Sequence, residues 1–165
     1  MMGLLDDLVA ALAAEAAEYR RLLPLVEDEG GALVRADTSA LLEISTRREA
    51  AIDRLTVLEG DRRVAIARLA RALGVEAKAV TLPYLLDRVP SRAAGLAPLR
   101  EEIRDLLGRL LRLNGRNRFL AEHALACLRG LFSNLTAALA PPPMYAESGR
   151  VGQPAQELQL LDRRA

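Results

Sequence analysis

Tryptophan is absent from this chain, and aromatic residues of all kinds make up only 3% of it. β-Sheets draw heavily on aromatic and β-branched side chains, so this scarcity argues against a sheet fold. A single cysteine, Cys127, excludes an intramolecular disulfide and suits a reducing compartment. There is one histidine, no H-E-x-x-H and no glycine-rich loop between a strand and a helix. An enzyme is therefore not expected. His123 and Cys127 stand i,i+4, a spacing at which two side chains can share a metal, but Glu122, the nearest third donor, points elsewhere on a helix. Neither a metal nor another cofactor is expected. Asp6 and Asp7 interrupt the apolar start of the chain, so it does not read as a secretory signal. No run of ~18 uncharged apolar residues is available to span a membrane. The expected location is cytoplasmic.

What the chain has in quantity is leucine and alanine. Hydrophobic residues make up 51% of its 165 residues and charged residues 27%. That mixture belongs to long packed helices, in a chain long enough to bury one continuous core. The formal net charge is +1, so no global field favours nucleic acid or an anionic membrane. Charge is uneven along the chain: residues 1–36 hold 3 basic and 7 acidic side chains, residues 75–140 hold 10 basic and 6 acidic. Two helices of opposite sign packed side by side would account for this.

Periodicity places the helices. Leu4, Leu8, Leu12, Tyr19, Leu22, Val26 and Leu33 share one face of a first helix, over about residues 4–35. Pro24 should kink or locally break it, and Gly30-Gly31 should weaken its last turns. Asp37, Thr38 and Ser39 offer N-caps for a second helix that Gly74 terminates. Its near-heptad seam runs through Leu41, Ser45, Arg48, Ile52, Leu55, Glu59, Arg62, Ile66, Leu69 and Leu73. The charges on that seam predict partial burial, and Glu43–Arg47 and Glu59–Arg63 form i,i+4 pairs. Thr81 caps a short connecting helix with Pro83 in its first turn, burying Leu82, Leu85, Leu86 and Val89. The third long helix carries the strongest pattern: Leu99, Ile103, Leu106, Leu110, Leu113, Asn117, Leu120, Ala124, Cys127 and Leu131 step by fours and threes, and Leu107, Leu128, Leu135 and Leu139 widen the stripe. Pro141-Pro142-Pro143 stops it. The expected fold is all-α: a long antiparallel helical hairpin or three-helix bundle, coiled-coil-like, over residues 1–140. A flexible tail rich in proline and glycine follows over 141–165.

Two polar features stand out. Arg109, Arg112 and Arg116 line one helix face. They could track phosphates, but without interleaved aromatics to stack bases the better reading is a solvated face, or one paired with Glu15 and Glu18 of the first helix. Asn117 lies on the apolar seam with Asn114 beside it. Such amides either fix register at some cost in stability or accept polar groups of a partner, and spacing does not separate the two.

Leu110, Leu113, Asn114, Asn117, Leu120 and Glu122 read L-x-x-L-N-x-x-N-x-x-L-x-E. This resembles the signature of the FlgN family of flagellar type III export chaperones. Glu29, Leu33, Asp37, Leu41 and Arg48 match that family's pattern across the first two helices, though lysine is common where Arg48 stands. The stretch Pro143 to Gly149 is similar to its tail motif, a tyrosine (Tyr145) followed shortly by glycine, with Ala146 where glycine often follows the tyrosine directly. The resemblance implies a chaperone that binds the C-terminal helix of the hook-filament junction proteins, the hook-associated proteins of the FlgK/FlgL-like type. It implies delivery to the FlhA-like cytosolic domain of the export gate. Carried over, cargo contacts fall on Leu120, Leu128, Leu131, Phe132, Leu135 and Leu139, and gate binding on Tyr145. The residues support this independently, because the stripe is wider than a two-helix seam needs and leaves apolar surface for a third party. A weak homo-oligomer is compatible with the same surface. The alternatives are a structural coiled-coil adaptor, which would bury its stripes by self-association, and a nucleic-acid or membrane-surface binder, whose affinity would fall steeply with salt.

Overall fold

The computed structural model describes residues 2–90 and 95–139, and all regular structure among them is helical. Among the described residues four α-helices are delimited, in order α1 (Met2–Arg35), α2 (Thr38–Leu73), α3 (Leu82–Arg88) and α4 (Leu96–Leu139), with a 3₁₀ turn at Ala77–Ala79 before α3. The chain divides into two compact units, Met1–His123 and Ala124–Ala165.

The first unit is a three-helix bundle. Leu8 of α1 packs with Leu69 of α2 and Leu96 of α4, while Val26 packs with Ala51, Leu55, Leu106 and Leu110. This register runs α2 antiparallel to α1 and α4 parallel to it. At the far end of the hairpin Leu25 and Ala32 close on Ile44. Ala16, Ala32 and Ala51 are wholly buried, and these small side chains let α1 and α2 lie close together.

The helix ends follow from their local chemistry. Asp37 accepts a hydrogen bond from the Ala40 N–H at 3.0 Å and so caps α2. Gly74, at φ 69°, closes α2 in the left-handed conformation, with its N–H turned back to the carbonyls of Ala70 and Arg71. Thr81 caps α3 by accepting from the Tyr84 N–H. Of the four side chains expected to pack from α3, Leu85 is buried, Leu82 and Val89 are half-buried, and Leu86 faces out, because seven residues present only one face.

Pro24 does not break α1. Its missing N–H would have bonded the carbonyl of Arg20, and both residues lie on the exposed face, where that acceptor is open to solvent. Gly30 and Gly31 do not end the helix either; Gly30 is buried under α4. On α2 the buried line runs through Ile44, Ala51, Leu55, Ala65 and Leu69, so the heptad reading followed its edge, with Ser45 and Ile52 exposed. Arg48, Glu59 and Arg62 are half-buried, in keeping with a partly polar seam.

Candidate functional site

The charge asymmetry of the sequence is resolved mainly between α1 and α2. Glu15 and Glu18 point into the bundle with side chains only 4% exposed. They receive Arg62 at 2.7 Å and Arg54 at 2.7 Å, both from α2. The arginine ridge of α4 does not supply their partners. The hydrogen bond from Arg54 holds the Glu18 carboxyl below the usual carboxylate range, against the opposing pull of burial. Toward α4, α1 uses its outer residues: Arg20 meets Glu102 at 2.5 Å and Glu27 meets Arg109 at 3.4 Å.

A second polar node joins all three long helices. Asn117 is 3% exposed, and its amide nitrogen donates to the Val26 carbonyl at 2.7 Å and to Glu29 Oε2 at 2.9 Å. Glu29 also holds Arg48 of α2 in a short ion pair. Arg48 in turn donates to Asn114 Oδ1 at 3.1 Å. Thus Glu29, Arg48, Asn114 and Asn117, scattered over 89 positions of the sequence, meet at one junction. Two buried atoms there, Arg48 Nε and Asn117 Oδ1, have no hydrogen-bond partner among the described residues. Gly30 makes the junction possible: a Cβ on it would stand 2.5 Å from Arg116 Nη2 and 2.6 Å from Asn117 Oδ1. Within α1 alone this glycine is only a helix weakener. No local signal marks it, since the atoms it makes room for come from α4.

The described part of the second unit is the stretch of α4 from Ala124 to Leu139, and every residue of it is exposed. Leu125, Leu128, Leu131, Phe132, Leu135 and Leu139 recur at helical spacing and are between 50% and 74% exposed. Arg129 is the one charged residue in this stretch. An apolar face of this kind, on a helix carrying almost no charge, is a surface that gains by association. Leu120, in the first unit, is half-buried and offers less. Leu125 was not among the expected contacts, although it extends the same periodicity. Tyr145 lies outside the described residues, as does the whole segment 140–165.

No helix among the described residues is long and apolar enough to cross a membrane, and no three His, Cys, Asp or Glu side chains there are grouped to hold a metal ion. Compared with known proteins, residues 1–152 match the family model described as "FlgN protein". No curated protein and no solved structure matches the chain.

Proposed function

The chain belongs to the FlgN family of flagellar export chaperones, and from that premise we propose that it binds the C-terminal amphipathic helix of hook-filament junction proteins in the cytosol and delivers them to the export gate. The observation that carries this reading is the exposed face of Leu128, Leu131, Phe132, Leu135 and Leu139. A cargo helix laid along it would remove those side chains from water, each full burial being worth ~1.5–3 kcal/mol. Half of that, taken over five side chains, leaves several kcal/mol to set against the cost of association. The binding is protein to protein and needs no chemistry.

Within this reading Asn117 fixes the register of α4 against α1, supported by its bond to the Val26 carbonyl, while the exposed Asn114 is the amide available to a partner. Tyr145 is the anchor for the gate's cytosolic domain, since an aromatic ring supplies contact area for few torsions.

Calorimetry against a junction protein tests the cargo site. Leu131→Asp combined with Leu135→Asp should weaken binding by about a hundredfold or more, at ~1.5 kcal/mol or more per lost anchor, with the helical circular dichroism retained. Undiminished affinity would place the cargo elsewhere. Tyr145→Ala should leave cargo binding intact and weaken binding of the cargo-loaded protein to the gate domain by ~1–3 kcal/mol. Equal gate affinity for both forms would remove the tyrosine from the scheme.

A further inference from the structure

The outward face of α4 within the first unit is built unlike a solvated helix surface. Between Leu106 and Ala121 the sequence contains no acidic residue and four arginines. Two of the four are engaged, Arg109 with Glu27 and Arg118 with Glu122. Arg112 and Arg116 form no ion pair among the described residues, and they stand i,i+4 on one side of the helix. Both are led along neighbouring glycines: Arg116 lies over Gly30, and Arg112 Nη1 lies 3.5 Å from where a Cβ on Gly108 would be.

Beside these arginines runs a second line. Leu111 and Phe119 are 72% and 66% exposed, among the most exposed large apolar side chains described. They are eight residues apart, with Gly115 midway between them and nothing within 4 Å of the position a Cβ would take there. Leu111, Gly115 and Phe119 therefore form an i, i+4, i+8 ridge about 12 Å long, with a bare centre where another backbone can come close. A mid-helix glycine weakens a helix, and this one fits no turn and relieves no contact with the described residues. The Phe119 ring lies parallel to that of His123, with centroids 6.2 Å apart and planes at 6°.

We infer that this face is a second docking surface, separate from the cargo stripe, whose partner is a protein segment forming an amphipathic helix with an apolar line and acidic flanks. Charge complementarity selects the flanks, because Arg112 and Arg116 present two cations with no acid of their own. The ridge selects the apolar line, whose side chains seat on either side of Gly115. Nucleic acid is disfavoured on the same grounds. Two unpaired arginines would neutralise few phosphates, and Leu111 gives a base nothing to stack on. A membrane surface needs a broader apolar area than two side chains provide.

The test uses the full-length chain and labelled helical peptides, followed by fluorescence anisotropy at low salt. One peptide carries leucines at i, i+4 and i+8 flanked by glutamates; its control carries lysines in place of the glutamates. The glutamate peptide should bind and the lysine peptide should not, and added salt should weaken the complex. Arg112→Glu with Arg116→Glu, and separately Leu111→Ala with Phe119→Ala, should each weaken binding by about tenfold or more. Arg112→Gln with Arg116→Gln should give a smaller loss than the charge reversal. All of these side chains are exposed, so circular dichroism should show the bundle unchanged. Leu131→Asp with Leu135→Asp should leave peptide binding intact, which separates this surface from the cargo site. The inference is overturned if the lysine peptide binds as well as the glutamate one, or if neither double substitution affects binding. It is equally overturned if a single-stranded oligonucleotide or a phosphatidylglycerol vesicle binds through the same residues more tightly than the peptide.

Discussion

Replacing Gly30 by alanine adds one methyl group at the point where α4 crosses α1. In an exposed helix interior that exchange stabilises by roughly 0.5–1 kcal/mol, because alanine surrenders less backbone freedom on folding. Here the new Cβ would stand 2.5 Å from Arg116 Nη2 and 2.6 Å from Asn117 Oδ1, closer than non-bonded atoms approach. Arg116 is the end of a long exposed side chain and can swing away. Asn117 cannot, because it is buried and held by bonds of 2.7 Å to the Val26 carbonyl and 2.9 Å to Glu29. Either α4 retreats or those bonds stretch, and overpacking of this kind costs ~1–3 kcal/mol. The propensity gain offsets only part of it. The expected net loss is about 1–2 kcal/mol, read as a melting temperature lower by roughly 2–8 °C for a chain of this length. Gly60→Ala is the control, since nothing lies within 4 Å of its Cβ position, and it should raise stability by up to ~1 kcal/mol. Urea titrations followed by circular dichroism at constant m-value measure both. If Gly30→Ala proved as stabilising as Gly60→Ala, the close approach of Asn117, and with it the junction of the three helices, would be refuted.

Three further outcomes follow from the packing. Glu18 has its carboxyl pKa lowered by Arg54, so its contribution to stability is full above the unfolded value near 4.5 and disappears as pH falls through the lower, folded one. Glu18→Gln should therefore destabilise the protein at pH 7 by a margin that closes in acid, and a margin independent of pH would contradict the pairing. Asn117→Leu removes two hydrogen bonds, one of them to a carboxylate, and relieves one unpartnered oxygen; stability should fall by ~1–2 kcal/mol, and a rise in melting temperature would mean the amide is a cost that the bundle carries. Asp37→Ala removes the acceptor for the Ala40 N–H at the start of α2 and should cost about 1 kcal/mol in urea unfolding, with no change in helix content; no loss would show that water caps the helix equally well.

The elements themselves were written into the sequence because each obeys a local rule. Leucines at spacings of three and four define the faces of α1 and α4, and a carboxylate ahead of α2, a glycine after it and a threonine ahead of α3 mark the ends wherever the chain runs next. The i,i+4 pairs Glu43–Arg47 and Glu59–Arg63 are local in the same sense and form as expected. The family was legible too, since order and spacing of residues are properties of the sequence alone.

Partnership across helices was decided by tertiary structure. Nothing local indicates that Glu15 and Glu18 turn inward to Arg62 and Arg54, or that Glu29 receives both Arg48 and Asn117; those pairs depend on the register of α1 against α2 and α4. The same cause inverted the expectation for Gly30, a weakness when only its own helix is considered and a requirement once α4 lies over it. It also divided a single periodic stripe into two fates. Leu106, Leu110 and Asn117 are buried, whereas Leu128, Leu131 and Leu135 are exposed on the same pattern, because periodicity states which side chains share a face and only packing determines whether anything covers it.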